Sequence, residues 1–169
     1  YGTGAHAPGI AGGDNGTLTA LHHQNLAQGS TLKALRSERP DLVLGTILTL
    51  QPSVPETDST ADRKAAILWD AVWNRVALDG LMRGMVPEIL QDRMAEIVKP
   101  GDLDIVRQPI DILGMNYYSR LTVRAASDGP LFGVGWGRPH ASQFTGYDWP
   151  VEPEGRAEIL LEMKRLYGN

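Results

Sequence analysis

The chain has no cysteine, which removes a disulfide framework and any thiolate metal site. It has no basic cluster and a net charge of −4, so no nucleic-acid partner is expected. No apolar run approaches the roughly 20 residues of a membrane span, so no membrane partner is expected either. The first residue is Tyr1, not Met, and no signal peptide precedes it. This reads as an internal piece of something longer, or as a processed product. The missing cysteines fit a cytoplasmic location. What is present is a globular composition, with 42% hydrophobic and 21% charged residues over 169 positions. That is enough for one domain with a real core.

The most informative stretch is Ile110-Asp111-Ile112-Leu113-Gly114-Met115-Asn116-Tyr117-Tyr118. It begins apolar and ends in polar and aromatic groups, as a strand delivering side chains to a barrel mouth would. Ile110, Ile112 and Leu113 suit the inside of a parallel sheet. Gly114 permits close backbone approach. Asn116 and Tyr118 are two apart and would share one side of a strand. An amide and a phenol there can bind a hydroxylated ligand or orient a carboxylate. The plainer alternative is a buried strand capped by a tyrosine.

Taken in order, residues 1–16 carry six glycines and one proline and read as loop. Asn15-Gly16-Thr17 matches a glycosylation sequon but reads as a turn and helix cap. Residues 17–38 read as a helix with Leu18, His22, Leu26 and Gly29 on one face. His22-His23 is a poor chelate, because adjacent helical residues diverge by about 100°. His22 reads instead as an inward histidine holding the helix against a sheet. Residues 43–50 read as an apolar, β-branched strand ended by Pro52. Glu56, Asp58 and Asp62 read as solvated charges at a helix start. Residues 60–83 read as a long helix with a Trp69, Val72, Trp73, Val76 core stripe, and residues 88–98 as a second, short one. Residues 99–109 read as a connection. Residues 119–126 alternate as a strand would, with Leu121, Val123 and Ala125 on one side, and end at Asp128-Gly129-Pro130. The stretch 131–149 is rich in glycine and aromatics. Gly133-Val134-Gly135-Trp136-Gly137 lacks the spacing and the strand–turn–helix context of a nucleotide loop. Residues 155–167 read as a last helix with Ile159, Leu160, Met163 and Leu166 as its apolar face. Strands alternating with helices predict an α/β fold with a parallel sheet.

Three motifs carry a resemblance: Gly114-Met115-Asn116-Tyr117-Tyr118, the opening Tyr1-Gly2-Thr3-Gly4-Ala5-His6-Ala7-Pro8-Gly9, and Pro150-Val151-Glu152-Pro153-Glu154-Gly155. In this order and spacing they resemble family 1 glycoside hydrolases, the β-glucosidase family, across essentially the whole chain. The resemblance implies part of a (β/α)8 TIM barrel, roughly helix four through helix six with strands five and six. Residues 1–169 would be the central segment of a single catalytic domain. It also implies retaining hydrolysis of terminal β-D-glucosyl residues by two glutamates about 5–5.5 Å apart. The family's Asn-Glu-Pro and Thr-Glu-Asn-Gly motifs, which bear those glutamates, are absent from the sequence. No catalytic residue is therefore assigned within it, and Glu154, at a helix start, is not a substitute.

The resemblance assigns supporting roles instead. Tyr118 would hydrogen-bond the nucleophile carboxylate, with Asn116 orienting the same region. His6 would border the cleft, and Trp149 would line its leaving-group side. The end of strand five often carries Asn where this chain has Thr49, whose hydroxyl cannot both donate and accept in the amide's geometry. The expected substrate is a small β-glucoside or oligosaccharide, with no metal or organic cofactor. Two inner strands cannot close a barrel, so the rest of the barrel is expected to be required. A non-catalytic carbohydrate-binding or relic protein from the same barrel is the alternative. An unrelated small α/β domain is a third.

Overall fold

The computed structural model describes residues 1–168. They form six α-helices and five strands in the order α1 (Gly13–Glu38), β1 (Gly45–Thr49), β2 (Ser53–Pro55), α2 (Thr60–Asp70), α3 (Val76–Arg83), α4 (Gln91–Met94), α5 (Asp102–Val106), β3 (Ile112–Asn116), β4 (Leu121–Ala125), β5 (Val134–Trp136) and α6 (Glu154–Tyr167). A π-helical turn, Ala71–Arg75, joins α2 to α3. The chain divides into two compact units. The first is 1–48 with 74–115, and the second is 49–73 with 116 onward.

In the first unit, α1 packs on α5 and α3. Its buried face is Leu18, His22, Gly29 and Leu32. The helix starts four residues earlier than expected, because Gly12 and Gly13 donate their amides to the carbonyls of Tyr1 and Gly2. Asn15-Gly16-Thr17 is therefore helical rather than a cap, and Thr17 donates back to the Gly13 carbonyl at 2.8 Å. Gly29 is required by close approach: a Cβ there would lie 2.1 Å from the Ile105 carbonyl oxygen.

His22 holds α1, though not against a sheet. Its Nε2 lies 2.7 Å from Asp102 Oδ2 at the start of α5. The bond to His22 holds the Asp102 carboxyl below its usual range, with help from the Lys99 amide. The connection expected over 99–109 contains α5, which begins after Gly101 at φ 89°.

β1 and β3 form a two-stranded sheet. The amides of Asp111 and Ile112 bond to the Leu44 carbonyl, and Gly114 approaches Thr46 and Ile47. Both strands therefore run the same way. They are not buried as expected. Ile47 is 68% and Ile112 58% exposed, because among the described residues the ladder has only these two strands.

In the second unit, β4 is central. It pairs parallel with β2 and antiparallel with β5, and α2 packs across β2 and β4. Val123 is fully buried with Thr122 and Ala126, while Ala125 is exposed. The expected alternation of Leu121, Val123 and Ala125 thus fails at the strand's end.

Asp62 is not a solvated charge. It is buried, accepting the Ala125 amide at 2.9 Å and the Thr57 hydroxyl at 2.5 Å. These bonds, Thr57's first, hold its carboxyl below the usual range. Its own amide is capped by Ser59. Trp69 is core as expected, but Trp73 is 40% exposed and stacks on Trp69 at 6.3 Å. On α6 only Ile159 of the expected face is fully buried, and Leu160 is 45% exposed.

Candidate active-site cleft

The candidate site lies in the second unit, where the chain leaves β3. β3 stops at Asn116, so strand alternation does not extend to Tyr118. The expected common side for that pair has no ladder to enforce it. The Asn116 carbonyl accepts the Leu50 amide at 3.0 Å, and its side chain is exposed. Tyr118 is 51% exposed, and its ring meets Trp149 edge-on at 5.2 Å. An edge-to-face pair fixes both rings while leaving faces open to a ligand.

The loop bearing Trp149 is held at several points. Thr145 donates its amide to the Trp149 carbonyl at 2.8 Å, and the Thr145 hydroxyl accepts the Trp149 amide at 3.2 Å. Asp148 takes a left-handed φ of 56°, which sharpens the turn. The next residues are tied down by groups that sequence reasoning missed. Tyr117 donates its hydroxyl to the Glu152 carbonyl at 2.5 Å. Glu152, 6% exposed, accepts the Arg120 amide at 3.2 Å and pairs with its guanidinium at 3.5 Å. Arg120 also donates Nε to Glu158 on α6 at 2.9 Å, and Nη2 to the same carboxylate. This bond raises the Arg120 pKa and holds Glu158 below its usual range. Burial, ahead of any neighbouring charge, raises the Tyr117 phenol.

Two cavities meet at Tyr118. One, of about 650 Å³, is lined by Tyr117, Thr145, Val151, Arg156 and Leu160 among others. The other, of about 570 Å³, is lined by Trp149, Trp136, Gln51, Arg120 and Asp148 among others. Both are of ligand-binding size, and the second carries the aromatic and polar mixture a sugar requires. The structure therefore brings Tyr118 and Trp149 together. Asn116 belongs to the same unit at the strand end, while His6 is an exposed loop residue of the first unit whose carbonyl accepts the Gly9 amide. Gln51, buried at the mouth, donates to the Ser119 carbonyl at 2.9 Å. Among the described residues no cluster of three or more His, Cys, Asp or Glu could hold a metal ion. None of their helices is long and apolar enough to cross a membrane.

The profile of glycosyl hydrolase family 1 matches residues 1–169. The chain belongs to that family. A bifunctional β-D-glucosidase/β-D-fucosidase of Bifidobacterium breve is 34% identical, over 99% of this chain and 38% of the relative. A 6-phospho-β-galactosidase of Clostridium acetobutylicum is 27% identical, over 89% of this chain and 38% of the relative. The crystal structure of a psychrophilic β-glucosidase from Micrococcus antarcticus is 33% identical and matches with a TM-score of 0.88. That match covers 100% of this chain and 41% of the other. The family 1 chain thus spans about two fifths of the length of the relatives it matches, and its fold is a piece of their (β/α)8 barrel.

Proposed function

We propose that residues 1–169 are the central segment of the single catalytic domain of a retaining β-glycosidase, most simply a β-glucosidase. It would act on terminal β-D-glucosyl residues of small glucosides or oligosaccharides. Both glutamates would come from chain outside these residues. One protonates the leaving oxygen, and the other forms the glycosyl-enzyme that water then opens. Within the segment, Tyr118 donates its hydroxyl to the nucleophile carboxylate, with Asn116 beside it. Trp149 lines the leaving-group side of the cleft.

The observation that carries this reading is the Tyr118–Trp149 pair at the edge of a ligand-sized cleft. The Tyr118 hydroxyl has no hydrogen-bond partner among the described residues, so it is available to a carboxylate. The glucosidase names of similar proteins support the gluco reading, and the 6-phospho-β-galactosidase relative supplies its competitor. A cytoplasmic setting is proposed with it.

The rest of the barrel is required in this account, because β1 and β3 present open edges and exposed isoleucines. The test is turnover of 4-nitrophenyl β-D-glucoside by the parent protein and by the 169-residue chain alone. The expected result is hydrolysis by the parent and none by the chain. Turnover by the chain would place the catalytic groups inside it. An inactive parent that still binds glucosides would favour the non-catalytic alternative.

A further inference from the structure

We infer that Arg120 is a positioning residue: by gripping Glu152 it ties the chain at Tyr117–Arg120 to the chain at Trp149–Glu152, and so sets the Tyr118 ring and hydroxyl in place. The inference rests on the retaining β-glycosidase reading above. It adds a residue that acts on the reaction through Tyr118 rather than on the substrate.

Tyr118 lies between two cross-links to one residue. On one side, Tyr117 donates its hydroxyl to the Glu152 carbonyl at 2.5 Å. On the other, Arg120 donates its amide to one oxygen of the Glu152 carboxylate at 3.2 Å, and its guanidinium faces the second oxygen at 3.5 Å. Glu152 follows Trp149 by three residues, so both partners in the Tyr118–Trp149 ring contact sit on segments joined at Glu152. Ser119 is fixed as well, its carbonyl accepting the buried Gln51 amide at 2.9 Å. The backbone on both sides of Tyr118 is thus held, while Tyr118 itself stays 51% exposed.

An arginine suits this place because two carboxylates converge on it. Besides Glu152, it donates Nε to Glu158 on α6 at 2.9 Å and Nη2 to the other oxygen of that carboxylate. A planar fork reaches both partners, whereas an ammonium is a single point charge. Glu152 is buried, and a buried carboxylate left without its cation is costly, so its position depends on Arg120. Gly155 records how close the approach is. A Cβ there would lie 2.2 Å from the Tyr117 hydroxyl oxygen and 3.0 Å from Arg120 Cγ. The start of α6 therefore admits both side chains only because residue 155 has none.

The test uses the parent protein carrying Arg120→Met, alone and combined with Tyr118→Phe, on 4-nitrophenyl β-D-glucoside. R120M is expected to lower kcat about tenfold with KM within a fewfold. Its acidic limb of kcat/KM should move to higher pH, since a displaced phenol no longer favours the ionised nucleophile. Because Arg120 acts through the Tyr118 hydroxyl, the double variant should fall no more than about twofold below Y118F alone. Falls that multiply would give Arg120 an independent structural role and overturn the inference. A change confined to KM would make it a direct ligand contact, and an unmoved acidic limb or an unchanged rate would overturn the inference equally. Should R120M lose its cooperative melt, R120M/E152Q, which leaves no unpaired buried charge, takes its place with the same expectations. If the parent hydrolyses no β-glycoside, the glycosidase reading fails and amide exchange decides Arg120. Faster exchange at Trp149 and Val151, whose amides bond to Thr145 and Gln143, would support the grip, and unchanged exchange would overturn it.

Discussion

Replacing Tyr118 by Phe in the parent protein is expected to lower kcat for an aryl β-glucoside by about ten- to hundredfold. It should leave KM within a fewfold of its starting value. The magnitude follows from the loss of a hydrogen bond to a charged group, worth about 1.5–3 kcal/mol. The substitution deletes only the hydroxyl, so the edge contact with Trp149 at 5.2 Å is expected to survive. The pH profile supplies the discriminating sign. A donor to the nucleophile favours its ionised form and lowers its pKa. Without that donor the pKa rises, so the acidic limb of kcat/KM moves to higher pH. A uniform loss of rate with an unmoved acidic limb would make Tyr118 a packing residue.

The second large effect concerns stability. Gly29→Ala is expected to destabilise the protein by about 3 kcal/mol or more, read as a lower denaturation midpoint. Alanine would gain up to about 1 kcal/mol in a helix interior. Against that, the new Cβ would stand 2.1 Å from the Ile105 carbonyl oxygen and 2.9 Å from Val106 Cα. Both are backbone atoms of α5, so no side chain can swing aside, and α1 must separate from α5. Overpacking of this kind costs about 1–3 kcal/mol when relaxation is possible, and more where backbone must move. The separation would also stretch the His22–Asp102 bond across the same two helices. An unchanged or raised midpoint would show that the α1–α5 approach is looser than described.

These two residues differ in how far the sequence exposed them. Tyr118 stood in a motif whose apolar-to-polar gradient predicts a strand ending at a site, and the structure places it at a cleft. Gly29 was legible as a member of a helical face but not as a contact, since its partner is 76 residues away on α5. That helix, Asp102–Val106, is too short to show periodicity, and Pro100-Gly101 masked it as a connection.

Charged residues misled in a different way. Asp62 reads as a surface group because carboxylates are rarely buried without partners. One of its partners, the Ala125 amide, is distant in sequence, as Arg120 is from the buried Glu152. The strand around Ile112 matches the expectation in type and departs from it in burial. Apolarity records the environment a strand is built for, and the described chain supplies only one neighbour for it. Trp136 is visible as an aromatic, but its place on the second cavity follows from the β4–β5 hairpin that presents it.

The measurement that tests the central claim most directly is the stereochemistry of hydrolysis by the parent protein, followed by proton NMR on an aryl β-D-glucoside. A retaining two-glutamate mechanism passes through a glycosyl-enzyme, so β-D-glucose appears first and mutarotates afterwards. The account predicts that order. Release of α-D-glucose first would mean direct displacement by water across a wider carboxylate gap, and would contradict the assignment of Tyr118 as a partner of a covalent nucleophile.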